Sequence, residues 1–429
     1  MSISSSLAAG VSGLNANAQK LASISDNISN SATFGYKRSF TDFHSMVINS
    51  GTEARFSAGG VRSTTSRMID EQGQLQGSAN ATDIAIQGRG FLPVTDLAGI
   101  DQGANRPLAL STTGSFRPDA EGVLVSPADK VLLGWPASLD GTFRSFPRDS
   151  ADGLQPVNVY HNQFAANPTT EMNIALNLPS DDSDPASPGG PHDLSIEYYG
   201  NLGQTESLNF AFAPTGTANE WQMTITDSNS GGAVVGEYTL AFNDANVGGG
   251  TLASVTTVSG GGYDPATGAF DVPVGGGIIS VGIGKPNEGG GITQLDSSFA
   301  PSTLDKNGST VGNFLGVEID EKGIVRAIYD SGFTRPIYQV PVIDVPNPNG
   351  LTARDAQTYT ISMESGSMFL WDAGDGPVGA TAGYTREAST TDVAFELTQL
   401  IQTQRAYSSN AKIIQTVDEM LQETTNLKR

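Results

Sequence analysis

Ser6-Leu7-Ala8-Ala9-Gly10-Val11-Ser12-Gly13-Leu14-Asn15-Ala16-Asn17-Ala18-Gln19-Lys20-Leu21-Ala22-Ser23-Ile24-Ser25-Asp26-Asn27-Ile28 opens the chain. Leu7, Leu14, Leu21 and Ile28 fall seven apart, with Val11, Ala18 and Ser25 between them, and no proline interrupts residues 3–28. Alternating steps of four and three predict a helix with a coiled-coil seam. Its other faces are small and polar, so alone it would bury little and be marginal. The far end repeats the pattern: Val393, Leu400, Tyr407, Ile414 and Leu421 fall at sevens, Leu397, Gln404, Ala411 and Asp418 take the intervening places, and Ser389, Thr390, Thr391 and Asp392 precede them, any of which could cap a helix. On periodicity alone two readings stand. The helices are core helices of a bundle, or they pair with each other and with copies from other molecules.

Between them the texture changes. Asp83-Ile84-Ala85-Ile86, Gly90-Phe91-Leu92-Pro93-Val94 and Lys130-Val131-Leu132-Leu133-Gly134-Trp135 are short apolar runs set off by turn residues, and residues 310–345 behave alike. These predict antiparallel strands. From 146 to 300 the chain is rich in glycine, with 23 between Gly189 and Gly291, and its strand candidates Trp221–Thr226 and Tyr238–Phe242 stand apart. The expected fold is α+β: long N- and C-terminal coiled-coil helices flank two mainly antiparallel β domains, the second inserted into the first. The boundaries follow as residues 1–33 for the first helix, 34–80 for an extended linker segment, 81–145 with 301–388 for the first β domain, 146–300 for the inserted one, and 389–429 for the last helix.

The 429 residues include no cysteine, which excludes disulfides, thiolate metal sites and cysteine nucleophiles. The formal charge of -22 makes nucleic acid a poor partner. It is unevenly placed. Residues 1–80 carry 6 basic and 5 acidic groups and residues 390–429 carry 4 and 5, leaving 13 and 35 in residues 81–389. No run of 18 apolar residues exists, so no membrane helix and no membrane insertion are expected, and no secretory leader is legible at the N-terminus.

A search for chemistry finds little. His44, His161 and His192 are isolated, and no Gly-x-Ser-x-Gly elbow or phosphate loop occurs. Gly374-Asp375-Gly376-Pro377-Val378-Gly379 fits a dinucleotide pattern, but no helix-forming segment follows, so it reads as a tight turn. Asp181, Asp182 and Asp184 lack the ordered spacing of a Ca²⁺ loop and read as a solvated acidic loop. No enzyme and no cofactor are expected.

Ile24-Ser25-Asp26-Asn27-Ile28-Ser29-Asn30-Ser31-Ala32-Thr33-Phe34-Gly35-Tyr36-Lys37-Arg38 resembles a signature of the bacterial flagellar rod and hook protein family, an Asn-Ile/Leu-x-Asn motif followed by a Gly-aromatic-Lys turn. Gln404-Arg405-Ala406-Tyr407-Ser408-Ser409-Asn410-Ala411 resembles that family's last helix, although Thr390-Thr391 departs from its usual Asn-Val. The stretches 81–91 and 113–122 look like the sheet domain of its distal rod and hook members, and an insertion as large as 146–300 is similar to the hook members. The family motif then falls on Asn27, Asn30, Gly35, Tyr36, Lys37, Gln404, Arg405 and Asn410.

The resemblance implies a structural subunit of the flagellar hook, which self-assembles into a curved tube that transmits torque as a flexible joint. It implies export through the flagellum's own channel without a cleaved signal peptide, and an extracellular position. Its partners would be many copies of itself, the distal rod protein at one end, and the hook cap and hook-filament junction proteins at the other. The seam residues Leu7, Val11, Leu14, Leu21, Ile28, Val393, Leu397, Leu400, Tyr407, Ile414 and Leu421 are the expected assembly contacts. Rival readings are a distal-rod or hook-associated axial protein and, from another class, a secreted Ca²⁺-binding β-rich adhesin.

Overall fold

The computed structural model describes residues 3–46, 58–138, 141–160 and 164–426. Two helices stand at the ends, α1 (Ile3–Ser29) and α2 (Val393–Asn426), and what lies between is almost entirely strand and turn. Asp392 caps α2, its Oδ1 accepting from the backbone N of Ala394 at 2.9 Å and of Phe395 at 3.2 Å. That fixes a start which the unusual Thr390-Thr391 left open. Thr390 has its own task, as its hydroxyl accepts the backbone N–H of Arg38 at 2.9 Å.

Within the segment read as an extended linker, β1 (Ser39–Ser45) and β2 (Val61–Arg67) form an antiparallel hairpin that lies against α1. No apolar alternation announces it, because its strands are mostly exposed threonine, serine and charge. It is held by side chains: the Ser23 and Thr41 hydroxyls lie 3.0 Å apart, Thr41 and Thr65 2.9 Å apart, and Ser12 Oγ accepts from the Val61 backbone N at 3.1 Å.

The chain divides into two compact units, one of Met1–His161, Val317–Ala327 and Arg335–Arg429, the other of Asn162–Gly316 and Ile328–Thr334. In the first unit the strands Lys130–Pro136, Leu92–Asp96, Ala109–Ser111, Thr358–Thr360 and Thr352–Arg354 run side by side, all antiparallel. Phe91, Leu110, Leu133, Trp135, Ile343, Tyr359 and Leu370 fill the core there. Asp83–Gln87 pairs with both Thr113–Ser115 and Ala380–Gly383. The dinucleotide-like stretch is a turn before that last strand, with Gly374 and Gly376 at φ 82° and 64°.

The second unit holds a five-stranded antiparallel meander, His192–Tyr199, Thr205–Pro214, Glu220–Asp227, Ala233–Phe242 and Leu252–Ser259. Trp221, Met223 and Ile225 alternate inward and share a core with Met172, Ile174, Phe270, Val272 and Val281 of a second sheet. That second sheet is mixed: Glu171–Pro179 pairs in parallel with Gly277–Gly282 and Thr293–Leu295 but antiparallel with Ala300–Lys306. The unit carries 17 acidic and 2 basic side chains, so it concentrates the acidity beyond what the sequence partition indicated.

Candidate assembly surface

The two helices lie antiparallel: Asn27 meets Glu396, Gly13 meets Asn410, and Gly10 meets Ile414. Their contact does not run along the leucine seam. On α1 the buried positions are Gly10, Gly13, Ala16, Asn17, Ser23, Ile24 and Asn27, and on α2 they are Glu396, Thr403 and Val417, with Asn410 half-buried. These too keep intervals of seven, as Gly10, Asn17, Ile24 and as Glu396, Thr403, Asn410, Val417. Small residues let the backbones close up. A Cβ on Gly13 would lie 2.9 Å from Asn410 Nδ2, and one on Gly10 would lie 3.1 Å from Ile414 Cγ1.

Relative to that seam, the apolar stripes sit four residues on, a rotation of about 40° at roughly 100° per residue. Leu7, Leu14, Leu21 and Ile28 are therefore half-buried, as are Leu400 and Ile414, while Val11 (44%), Leu397 (47%), Val393, Tyr407 and Leu421 are exposed. Two antiparallel helices of one hand, rotated equally from their shared seam, turn these stripes to the same side of the pair. The hairpin occupies the other side of α1, reaching Ser12, Gln19, Lys20 and Ser23. One face of α1 thus carries the hairpin, one meets α2, and the leucine face between them is only partly covered.

Asn27 joins three elements. Its Nδ2 donates to Ser39 O at 2.8 Å and to Glu396 Oε1 at 3.0 Å, and its Oδ1 accepts from Ser39 N at 2.8 Å and from Tyr36 Oη at 3.1 Å. Tyr36 Oη also donates to Asp26 Oδ2 at 2.9 Å; burial first, then Asp26, pushes the phenol up to about 12 against the nearby Arg67. Burial likewise raises the Glu396 carboxyl above its ordinary 4.5, opposed by the Asn27 bond and by Arg38 and Lys20. Asn30 closes the helix end, donating to Asp26 O at 2.9 Å.

The Gly-aromatic-Lys turn is a clasp between chain ends. Gly35 holds φ 71°, and a Cβ there would lie 2.9 Å from Thr113 Cγ2, so position and conformation both call for glycine. Its N–H donates to Glu387 O at 2.7 Å. Lys37, 2% exposed, pairs with the buried Glu387 carboxylate at 2.7 Å, and the same Oε1 accepts from Gly73 N at 2.7 Å. Gln404 and Arg405 instead stand exposed on α2. Reading by apolar periodicity missed Gly10, Gly13, Glu396, Thr403 and Glu387; the intervals of seven among small and polar residues were the available signal for all but Glu387.

Elsewhere the candidates for chemistry have ordinary partners. His192 Nε2 lies 2.7 Å from Asp182 Oδ2, its ring stacked on Phe299, and Asp184 Oδ1 accepts from Ala186 N at 2.9 Å. His44 is exposed on β1, and His161 lies outside the described residues. Asp83, in the motif of residues 81–91, is buried, which acts to raise it; hydrogen bonds from Ser115, Ser78 and Asn80 and the charge of Arg386 outweigh this and hold it below the usual carboxylate range. It anchors a turn.

Both ends match family models: residues 7–37 match the Flagella basal body rod protein family, and residues 381–427 match the Flagellar basal body rod FlgEFG protein C-terminal family. Those ends, with the antiparallel sheets between them, define a flagellar axial protein of the rod and hook class. Over 435 aligned residues spanning the whole of both chains, the protein is 34% identical to the flagellar hook protein FlgE of Rhizobium meliloti (strain 1021). It is 34% identical to that of Brucella suis biovar 1 (strain 1330), again over both whole chains, and 27% identical to that of Escherichia coli (strain K12) over 97% of this chain and 98% of the relative. The chain belongs to the flagellar hook protein family, a family of structural proteins, and is a subunit of the hook.

Proposed function

We propose that the subunit polymerises through the apolar face of its helix pair, building a curved tube that passes torque from rod to filament as a flexible joint. The observation that carries this is the two-stripe arrangement. Each helix turns mainly its small and polar stripe to its own partner and leaves leucine, valine, isoleucine and tyrosine half-buried or exposed on a common side. Such a face on a soluble chain is an interaction surface. Seated against copies, the stripes bury apolar area worth roughly 25 cal/mol per Å². The clasp at Gly35 and Lys37 and the Asn27 junction hold the pair on the sheets, so that force on the helices reaches the rest of the first unit. The second unit is an insertion in this reading; its acidity makes contacts between copies weak and yielding.

In this role the chain leaves the cell through the flagellar channel, which a chain without disulfides can pass unfolded. It meets the distal rod protein at one end of the polymer and the cap and junction proteins at the other. The test is Leu14→Asp combined with Leu400→Asp. Both positions flank the intramolecular seam, so far-ultraviolet circular dichroism stays as in the unsubstituted chain while sedimentable polymer disappears. Tubes of normal yield from this variant would overturn the assignment.

A further inference from the structure

The acidic loop of the second unit, residues 180–191, is fastened in two halves. Its first half sits on the sheet: Ser180 N donates to Leu295 O at 3.2 Å, and Gln294 Nε2 donates to the buried Ser183 Oγ at 2.9 Å. From Asp184 to Pro191 every residue but Gly189 is exposed. Asp182 ties this second half back. Its backbone O accepts from Gly189 N at 3.0 Å, and its side chain lies so close over Gly189 that a Cβ there would be 2.2 Å from Asp182 Cγ. Its Oδ2 lies 2.7 Å from His192 Nε2, on the first residue of the strand His192–Tyr199. The loop therefore closes through one carboxylate and one imidazole.

His192 is the only histidine of this unit, and the chain has no cysteine. Histidine is the side chain whose ordinary value puts its charge change between about pH 5 and 8. The ring stacks on Phe299, with centroids 4.8 Å apart and planes 6° from parallel, and tilts against Trp221 at 5.8 Å. Aromatic faces of this kind attract a cation. Of the charged groups on the elements around the ring, Asp182 is the one bonded to it. Asp193, next along its own strand, points to the opposite face. The residue paired with His192 on the neighbouring strand is the apolar Phe212, and Glu220, beside Trp221, accepts from Thr215 Oγ1 at 2.7 Å. Asp296, ahead of Phe299, is exposed, as are Asp181 and Asp184 in the loop. The two cations of the unit stand elsewhere, Lys306 over Tyr199 at the far end of the strand and Lys285 beside Gly268.

We infer that Asp182 and His192 form a pH-sensitive latch on this loop. Below neutral pH the imidazolium and the carboxylate make a charge-assisted pair that clamps residues 184–191 to the sheet. As pH rises the ring loses its proton, the pair falls back to a hydrogen bond from a neutral donor, and the loop opens more often. The two side chains are 22% and 29% exposed, so solvent screens the pair in part and the response is graded. The latch acts within one chain and does not depend on assembly. It gives the second unit a response near neutral pH, where carboxyl groups, with ordinary values of about 4, supply none.

The test is hydrogen exchange of the full-length chain beside His192→Gln, at about pH 5.5 and about pH 8, on either side of the histidine range. Glutamine keeps an N–H donor and does not titrate. At each pH the intrinsic exchange rates of residues 186–190 are the same in both chains, so the ratio of their protection isolates the latch. The expected ratio, unsubstituted over variant, is about two- to fivefold higher at the acid pH, the size of a partly exposed ion pair, while the ratio for the buried strand residues Leu208, Phe210 and Phe212 does not move with pH. A loop ratio that is equal at the two pH values would overturn the latch. If His192→Gln loses protection in that strand as well, Asp182→Asn takes its place in the comparison: it should flatten the pH response of the loop, and a response equal to that of the unsubstituted chain would overturn the inference in the same way.

Discussion

Lys37 and Glu387 place a charge pair where solvent does not reach, joining a residue near the start of the chain to one near its end. A buried pair is costly to break from one side, because the surviving charge is stranded; the expected loss for Lys37→Met is about 3–5 kcal/mol, read as a fall in the urea midpoint of the monomer. Glu396 gives a prediction of opposite sign. Its carboxyl sits above the ordinary value because burial disfavours the charged form, so it contributes stability below the unfolded value that is lost as pH rises through the folded one. Glu396→Gln keeps an oxygen for Asn27 Nδ2 and removes the charge. It should raise the thermal midpoint at pH 7, with the gap to the unsubstituted chain closing as pH falls through the raised folded value towards 4.5. A gap that stays constant with pH would show that Glu396 does not titrate against folding. Glu387 was not legible in advance, since a lone glutamate at the end of a short strand has no pattern until its partner, hundreds of residues away, is known, whereas Glu396 keeps the interval of seven with Thr403 and Asn410.

At the scale of elements, the helices and most strands follow from period and punctuation, while the cap, open among Ser389, Thr390, Thr391 and Asp392 in the sequence, is settled on Asp392 by its bonds to Ala394 and Phe395. Trp221–Thr226 lies within an observed strand because inward apolar residues alternate with outward polar ones. The hairpin β1–β2 was not readable in that way; hydroxyl pairs hold it, and threonine and serine carry no hydrophobic signal. The helix seam was misplaced for a related reason. Leucine spacing locates the stripe with most to bury, whereas the surface used inside the chain is the one where glycine permits close approach, and the two differ by about 40°. A substitution separates them. Gly13→Leu drives a side chain into Asn410 and should part the pair, at a cost typical of overpacking, about 1–3 kcal/mol, with α1 amides losing hydrogen-exchange protection. If α1 keeps its protection, the glycine seam is not what holds the helices together.

For the molecule as a whole, the decisive quantity is where its charge sits. The figure of -22 resolves into 21 basic and 28 acidic groups in the first unit and 2 and 17 in the second. Packing many copies side by side raises the local density of carboxylates, and this opposes assembly with a strength set by salt. In the proposed assembly the apolar face of the helix pair acts in the other direction, with little dependence on ionic strength. The balance therefore moves one way: from about 0.01 M salt, where the screening length is roughly 30 Å, to 0.15 M, where it is roughly 8 Å, the concentration of free subunit left after sedimentation should fall. An assembly held by ion pairs between subunits would do the reverse and dissolve as salt is added.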